Sequence, residues 1–343
     1  MSKTIVIVGG AGFLGINLSR YLLSEDPCCR RIVILDNFKT SSRKNVENLS
    51  KEFPGRIDLF SVDVTKKDEL QFLVDLYWDE PISEIYHLAS IASPPLYSQF
   101  PLETLQCGYT GTKNLLDLIL KMPLKPRFLF ASSSEVYGQP LIHPQKEDYY
   151  GNVNSYGNRS CYDESKRVGE TLIKIYKDQY NLDTRIVRIF NTYGPYMNLD
   201  DGRIVTEIIH SYIRNRPLQI FGDGNQTRCF NYVDDTIRSI VIVMRSDYSD
   251  PVNIGSDTEI SINRLVEMFE VIIGRRIEKK YLNIDKDDPL LRKPDLTLLG
   301  EIYWKSKRTH PQFTPIQRGL SETLEYFLQL THSRPESPRF HVL

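Results

Sequence analysis

An apolar run over residues 4–8 (Thr-Ile-Val-Ile-Val) ends directly in Gly9-Gly10-Ala11-Gly12-Phe13-Leu14-Gly15, and an amphipathic stretch over 14–24 follows. Few local arrangements constrain a chain more. A glycine turn between a buried strand and a helix presents the helix N-terminus, with its unpaired N–H groups and positive dipole end, to an anion. In this G-x-x-G-x-x-G pattern Gly9 permits the tight turn and Gly12 lets the backbone approach a pyrophosphate. Gly15 lets the helix pack closely on the strand layer, and Phe13 and Leu14 belong to the same candidate cofactor turn.

The next apolar run, 31–36, ends in Asp36, 21 residues past Gly15. An acid at that point accepts hydrogen bonds from a ribose 2′-hydroxyl and repels a 2′-phosphate. No arginine stands at the strand end to receive such a phosphate, and Arg43 and Lys44 read as solvated loop charges. The cofactor expected is therefore NAD rather than NADP. Asp63-Val64, at the end of a third run, is placed to border the adenine, and Asn37, Phe38, Leu88, Ser90 and Thr192 complete the candidate cofactor residues.

Apolar runs recur at 56–62, 85–88, 127–132 and 184–190, with helical periodicity at 67–78, 104–120 and 160–180 between them. Strands apolar on both faces, alternating with helices, predict a doubly wound α/β fold: a parallel sheet of Rossmann type, covered on both sides. Residues 1–190 form the expected cofactor domain, to which 229–257 returns with a helix (233–244) and a strand (252–254). Residues 191–228 and 258–330 read as a smaller, loop-rich C-terminal substrate lobe, with polar loops at 197–203 and 222–228. The segment 331–343 reads as a mobile tail.

A net charge of -1 provides no field to gather nucleic acid or an anionic membrane. The basic runs Arg275-Arg276, Lys279-Lys280 and 305–308 accordingly read as solvated faces. Five cysteines, odd in number and without C-x-x-C spacing, signal neither a disulfide framework nor zinc, and the six histidines are scattered, so no metal is expected. His87, at a strand end, reads as structural. The first apolar run is too short for a signal peptide or membrane span, which makes the cytoplasm the expected compartment.

Tyr162 and Lys166 lie four residues apart in the 160–180 segment, hence on one helix face. Ser132-Ser-Ser-Glu-Val-Tyr-Gly138 follows the 127–131 strand, at the carboxyl edge of the sheet, where doubly wound folds place ligands. A lysine ammonium and a positive nicotinamide ring both favour the phenolate of Tyr162, which can then take a hydroxyl proton as hydride leaves; Ser133 or Ser134 can hold the same oxygen.

From about Lys3 to Tyr326 the chain resembles the extended short-chain dehydrogenase/reductases acting on nucleotide sugars, and within them the UDP-glucuronate decarboxylase (UDP-xylose synthase) branch. The matching segments are Ala89-Ser-Ile-Ala-Ser-Pro-Pro95, Ser134-Glu-Val-Tyr-Gly138, His143-Pro-Gln145, Cys161-Tyr-Asp-Glu164 with Lys166-Arg167, and Arg188-Ile-Phe-Asn-Thr-Tyr-Gly-Pro195. Asp201-Gly-Arg203, Gly224-x-Gln-Thr-Arg228 and Arg292-Lys-Pro-Asp295 match as well. The resemblance implies NAD-dependent decarboxylation of UDP-glucuronate to UDP-xylose through a transient 4-keto sugar, by a homodimer. It implies that Tyr162 acts as base, that Lys166 and Ser133 assist it, and that Glu135 lies beside the sugar. Arg292 would meet the carboxylate and deliver a proton. Asn191, Arg203 and Arg228 would hold the uracil-side ribose and diphosphate, with Asn114 bordering them and Ser134 also at the substrate. A 4-epimerase, a 4,6-dehydratase and a non-catalytic nucleotide-sugar-binding protein are the alternatives. Dehydratases of the family carry Asp-Glu where this chain has Ser134-Glu135.

The chain departs from the family pattern at four places. Gln106 stands for a lysine associated with substrate contact, Gly108 for an asparagine, Tyr196 for an arginine and Ser165 for a glycine. Loss of a positive charge near an anionic substrate is expected to weaken binding by on the order of 1 kcal/mol or more.

Overall fold

The computed structural model describes residues 3–283 and 292–332. In chain order the first half comprises β1 (Lys3–Val8), α1 (Phe13–Glu25), β2 (Cys29–Asp36), α2 (Arg43–Glu52), β3 (Ile57–Ser61), α3 (Phe72–Leu76), β4 (Ile82–His87), α4 (Pro94–Gln99), α5 (Pro101–Gln106), α6 (Thr112–Lys121), β5 (Arg127–Ser133), α7 (Ser160–Tyr180) and β6 (Thr184–Ile189). The second half comprises β7 (Thr192–Tyr193), α8 (Ile204–Arg214), β8 (Leu218–Phe221), β9 (Thr227–Cys229), β10 (Asn231–Tyr232), α9 (Val233–Arg245), β11 (Pro251–Ile254), β12 (Glu259–Ser261), α10 (Ile262–Ile273), β13 (Lys279–Leu282), α11 (Thr297–Lys307) and α12 (Ile316–His332).

Seven strands form one parallel sheet in the order β11-β6-β5-β4-β1-β2-β3. Ile5, Val6 and Ile7 of β1, like Ile32, Val33 and Ile34 of β2, are fully buried on both faces, as strands of a sheet covered on both sides must be. The order reverses between β1 and β4, and their carboxyl ends part there to leave a crevice. At the opposite end of these strands Arg245 of α9 bonds Glu84 of β4 (3.0 Å) and Asp26 after α1 (2.6 Å), fastening α9 to the sheet. β11 extends the sheet beyond β6, so the 233–254 segment rejoins it.

Three small two-stranded sheets, β7–β10, β9–β12 and β8–β13, brace the second half. Strands of two to four residues are too short to leave a period in a sequence. Among the described residues no helix is long and apolar enough to cross a membrane.

Several boundaries differ from expectation. Arg43 and Lys44 open the amphipathic helix α2, whose only buried residues are Val46 and Leu49, rather than lying in a loop. The 67–78 helix divides into a 3-10 turn, Lys67–Leu70, and the short α3. The 104–120 helix divides at a π-helical turn, Cys107–Gly111, between α5 and α6. Both glycines of that turn are tightly enclosed: a Cβ on Gly108 would fall 2.4 Å from the Ser165 carbonyl oxygen, and one on Gly111 2.8 Å from Val64. The turn can thus sit closer to α7 and the β3 end than side chains allow. Residues 331 and 332 close α12; the rest of the expected tail lies outside the described residues.

Candidate active site

A cavity of about 1090 Å³ opens at the carboxyl ends of β1 and β4 and continues between the sheet and the C-terminal elements. The glycine turn forms one wall. Gly9 has φ +78°, and a Cβ on it would lie 2.6 Å from the Ala89 nitrogen, so only glycine fits. A Cβ on Gly15 would lie 2.5 Å from the Gly10 Cα, which marks the close packing of α1 on the turn. On Gly12 a Cβ would meet only the Gly9 oxygen, at 3.3 Å, so the backbone at the start of α1 stays open to the cavity.

Asp36 is buried at the end of β2. Its Oδ2 accepts from the Ala11 N–H (3.0 Å) and its Oδ1 from the Phe38 N–H and Ser41 Oγ (both 2.8 Å). The carboxylate therefore clasps the glycine turn, and its remaining lone pairs face a cavity it lines. Phe13, Leu14, Asn37, Asp63, Val64, Leu88, Ser90 and Thr192 line the same cavity. Phe38 does not: at φ +57° its ring turns onto the core, with the Arg43 guanidinium 4.4 Å above it. Asn114 is a second correction. Its Nδ2 donates to the carbonyls of Val64 (3.1 Å) and Thr65 (3.0 Å), so it ties down the loop after β3 and does not line the cavity.

Ser133 ends β5 and its hydroxyl accepts from the Glu135 N–H (3.3 Å), capping the 3-10 turn Ser134–Tyr137. That hydroxyl also favours the ionised form of Tyr162, in the first turn of α7. Burial pushes the Tyr162 phenol up to about 12, against the hydrogen bond from Ser133, and the Glu135 charge adds to the rise. Lys166, one turn on, is buried with its Nζ donating to the Ala131 carbonyl (2.9 Å) and lying 5.6 Å from the Tyr162 ring centre. Burial brings the Lys166 ammonium down to about 8. The lysine charge alone therefore does not produce the phenolate anticipated from the sequence. His87 is buried beneath, 3.2 Å from Thr112 Oγ1, and burial with the nearby Lys166 charge lowers it to about 3, as befits a structural residue.

Beside Tyr162 lies a buried charge cluster. Arg292 grips Glu135 with a two-pronged bond, Nη1 to Oε1 at 2.6 Å and Nη2 to Oε2 at 3.0 Å. Arg159, the residue before α7, donates to Glu135 Oε2 at 2.6 Å. Asp163 is buried among them, and burial together with the Glu135 charge pushes its carboxyl up to about 7. The segment that follows Arg292 is held by Gln145, which is 1% exposed. The Gln145 side chain donates to the Ile142 carbonyl (2.7 Å) and accepts from the Lys293 N–H (2.8 Å), while its backbone pairs with Lys293 and Asp295 (both 2.8 Å).

Sequence reasoning did not assign Arg159, Asp163, Tyr97 or the clamping role of Gln145. Tyr97 stacks on Tyr162, with ring centres 5.3 Å apart and planes 14° apart. No periodicity marks these residues, because their meeting is tertiary; the Arg159 signal available was only its position three residues before Tyr162.

Farther along the cavity stand Asn191, Arg203, Arg228 and Ser134. The Asn191 Nδ2 is buried without a hydrogen-bond partner among the described residues, as expected of a donor kept for a ligand. Arg203 pairs with the buried Asp201 at the start of α8, and Arg228 is fixed in the β9–β12 pair opposite Ile260. Of the four departures, Gly108 and Ser165 pack on each other and neither lines the cavity. Tyr196 packs at a 45° tilt against Tyr326 of α12 (ring centres 4.9 Å apart) with Arg20 over its ring. Gln106, exposed, and Tyr196, half-buried, are uncharged parts of the cavity wall where the family pattern carries a charge.

The sequence signature of the NAD dependent epimerase/dehydratase family matches residues 5–255. The chain belongs to that family. It is 39% identical over 330 residues to UDP-glucuronic acid decarboxylase 1 of Xenopus tropicalis, covering 95% of this chain and 72% of that protein. With UDP-glucuronic acid decarboxylase 5 of Arabidopsis thaliana it shares 41% identity over 306 residues, 88% of this chain and 84% of the relative. Among solved structures, UDP-glucuronic acid 4-epimerase from Bacillus cereus in complex with UDP-glucuronic acid and NAD superposes with a TM-score of 0.81 at 27% identity, over 95% of this chain and 99% of that one.

Proposed function

We propose that this protein decarboxylates UDP-glucuronate to UDP-xylose with an NAD that is regenerated in each turnover. The observation that carries the reading is the buried Arg292–Glu135 fork in one cavity with Tyr162 and Lys166: a cation for a sugar carboxylate stands beside a set able to act on a neighbouring hydroxyl. The similarity to decarboxylases over most of the chain supports it.

The glycine turn fits a dinucleotide, since Gly12 leaves the helix N-terminus open and Asp36 borders the same wall. When bound there, NAD supplies a reversible hydride acceptor for the sugar C4 and, in its oxidised form, a positive ring charge. Such a charge is what a phenol raised by burial requires to release its proton. Tyr162 then takes the C4 hydroxyl proton while Ser133 holds the same oxygen. A ketone at C4 makes the C6 carboxylate that of a β-keto acid, and loss of carbon dioxide leaves an enolate. Tyr162, now protonated, donates to the enolate oxygen, and the Arg292–Glu135 pair guides a solvent proton to C5 in place of the lost carboxylate. Asn191, Arg203 and Arg228 hold the nucleotide side, the arginines by charge-assisted bonds to the diphosphate.

Incubation of the pure protein with NAD and UDP-glucuronate, followed by NMR of the sugar and capture of carbon dioxide, tests this. UDP-xylose with carbon dioxide is the expected result, falling roughly 100-fold or more in Tyr162→Phe. UDP-galacturonate without carbon dioxide would assign epimerisation instead. We also infer a homodimer, supported by Leu102, Leu105 and Tyr109, which are exposed on α5 and the turn after it, beside α7. A monomer by light scattering at micromolar concentration would contradict it. Five free thiols support the cytoplasm as its compartment; oxidised thiols in protein trapped directly from cells would argue against it.

A further inference from the structure

The geometry points to Arg159 as a second guanidinium of the site that receives the substrate carboxylate, and so as a determinant of hexuronate over neutral hexose. The inference rests on the function proposed above. Arg159 and Arg292 come from segments more than a hundred residues apart and meet on one atom, Glu135 Oε2, at 2.6 and 3.0 Å. Both guanidiniums line the cavity that holds Tyr162.

Two cations on one buried carboxylate, Arg292 buried and Arg159 half-buried, leave a positive charge to be balanced. The second acid in the cluster, Asp163, balances it only in part, since its buried position beside Glu135 favours the neutral form. A site of this sign, in a wall with low solvent access, attracts a further carboxylate and discriminates against a hydroxymethyl group of the same size. The planar fork of an arginine can serve two carboxylates at once, so Arg159 can keep Glu135 while it meets the substrate. Its place is fixed: as the residue before α7 it cannot leave without unwinding the turn that carries Tyr162.

The test uses NAD-loaded protein in a Tyr162→Phe background, which blocks turnover, and calorimetric affinities for UDP-glucuronate, UDP-glucose and UDP. Arg159→Gln is expected to weaken UDP-glucuronate by roughly 10- to 150-fold, the range for a charge-assisted hydrogen bond, and UDP-glucose and UDP by less than about twofold. Equal weakening of all three ligands, or no change in any, overturns the inference. Should Arg159→Gln fail to fold, Arg159→Lys keeps the charge without the fork. A selective loss for UDP-glucuronate of about three- to tenfold is then expected, and a loss common to all three ligands overturns the idea. If the background protein itself shows no preference for UDP-glucuronate over UDP-glucose, the functional reading fails rather than the role of Arg159.

Discussion

Gln145→Ala is expected to disable catalysis from outside the cavity. Gln145 is buried and is not a wall of the site, yet its side chain joins two segments by bonds of 2.7 Å to the Ile142 carbonyl and 2.8 Å from the Lys293 N–H. Truncation removes both and leaves a carbonyl and an amide short of a partner. At about 1 kcal/mol per net bond, plus part of the 1–3 kcal/mol cost of each unsatisfied group, the loss is roughly 2–4 kcal/mol. The backbone pairing of Gln145 with Lys293 and Asp295 persists, as does the Asn253 Nδ2 bond to its carbonyl (3.0 Å), so the fold should survive. What loosens is the residue next to Lys293, namely Arg292. Urea unfolding gives the stability change, and steady-state decarboxylation should show kcat down by about tenfold or more, since small misplacements of a catalytic group carry such costs. The decisive measurement is a double-mutant cycle in kcat/KM with Arg292→Ala. If Gln145 acts through Arg292, the second truncation adds little to the first. Fully additive losses would refute the clamp, as would wild-type kcat in Gln145→Ala.

Two further outcomes follow from the packing and charge described. Gly108→Ala should destabilise the protein by roughly 1–3 kcal/mol as overpacking against α7, and adding Ser165→Gly should restore only part, because the nearest atom is the Ser165 carbonyl oxygen rather than its side chain; unchanged urea midpoints would contradict this. Asp163 is raised to about 7 from 3.8, chiefly by burial, so its folded form binds a proton that the unfolded form has lost between those values. Its stabilising contribution is full below about pH 4 and is lost as pH rises towards 7, and Asp163→Asn should remove that downward slope from unfolding measured between pH 4 and 7; a variant with the wild-type slope would show the assignment to be wrong.

The sequence by itself determined the doubly wound sheet, because β-branched runs buried on both faces and a glycine turn between strand and helix admit few other solutions. It also determined the cofactor wall and the Tyr162–Lys166 face, since each depends on spacing within one element: strand, turn and helix are local, and local geometry is periodic. Phe38 and Asn114 mark where this legibility stopped. Each sits at the right place in the chain, yet the direction of its side chain was decided by a positive φ in one case and by two carbonyls after β3 in the other. The division of the 104–120 helix likewise depended on what Gly108 and Gly111 face across the interior. Only the tertiary structure brought Glu135, Arg159, Asp163 and Arg292 together, from the turn after β5, the start of α7 and a segment more than a hundred residues later. Long-range electrostatic assembly leaves no period in a sequence, because the partners are chosen by the fold and not by their distance along the chain.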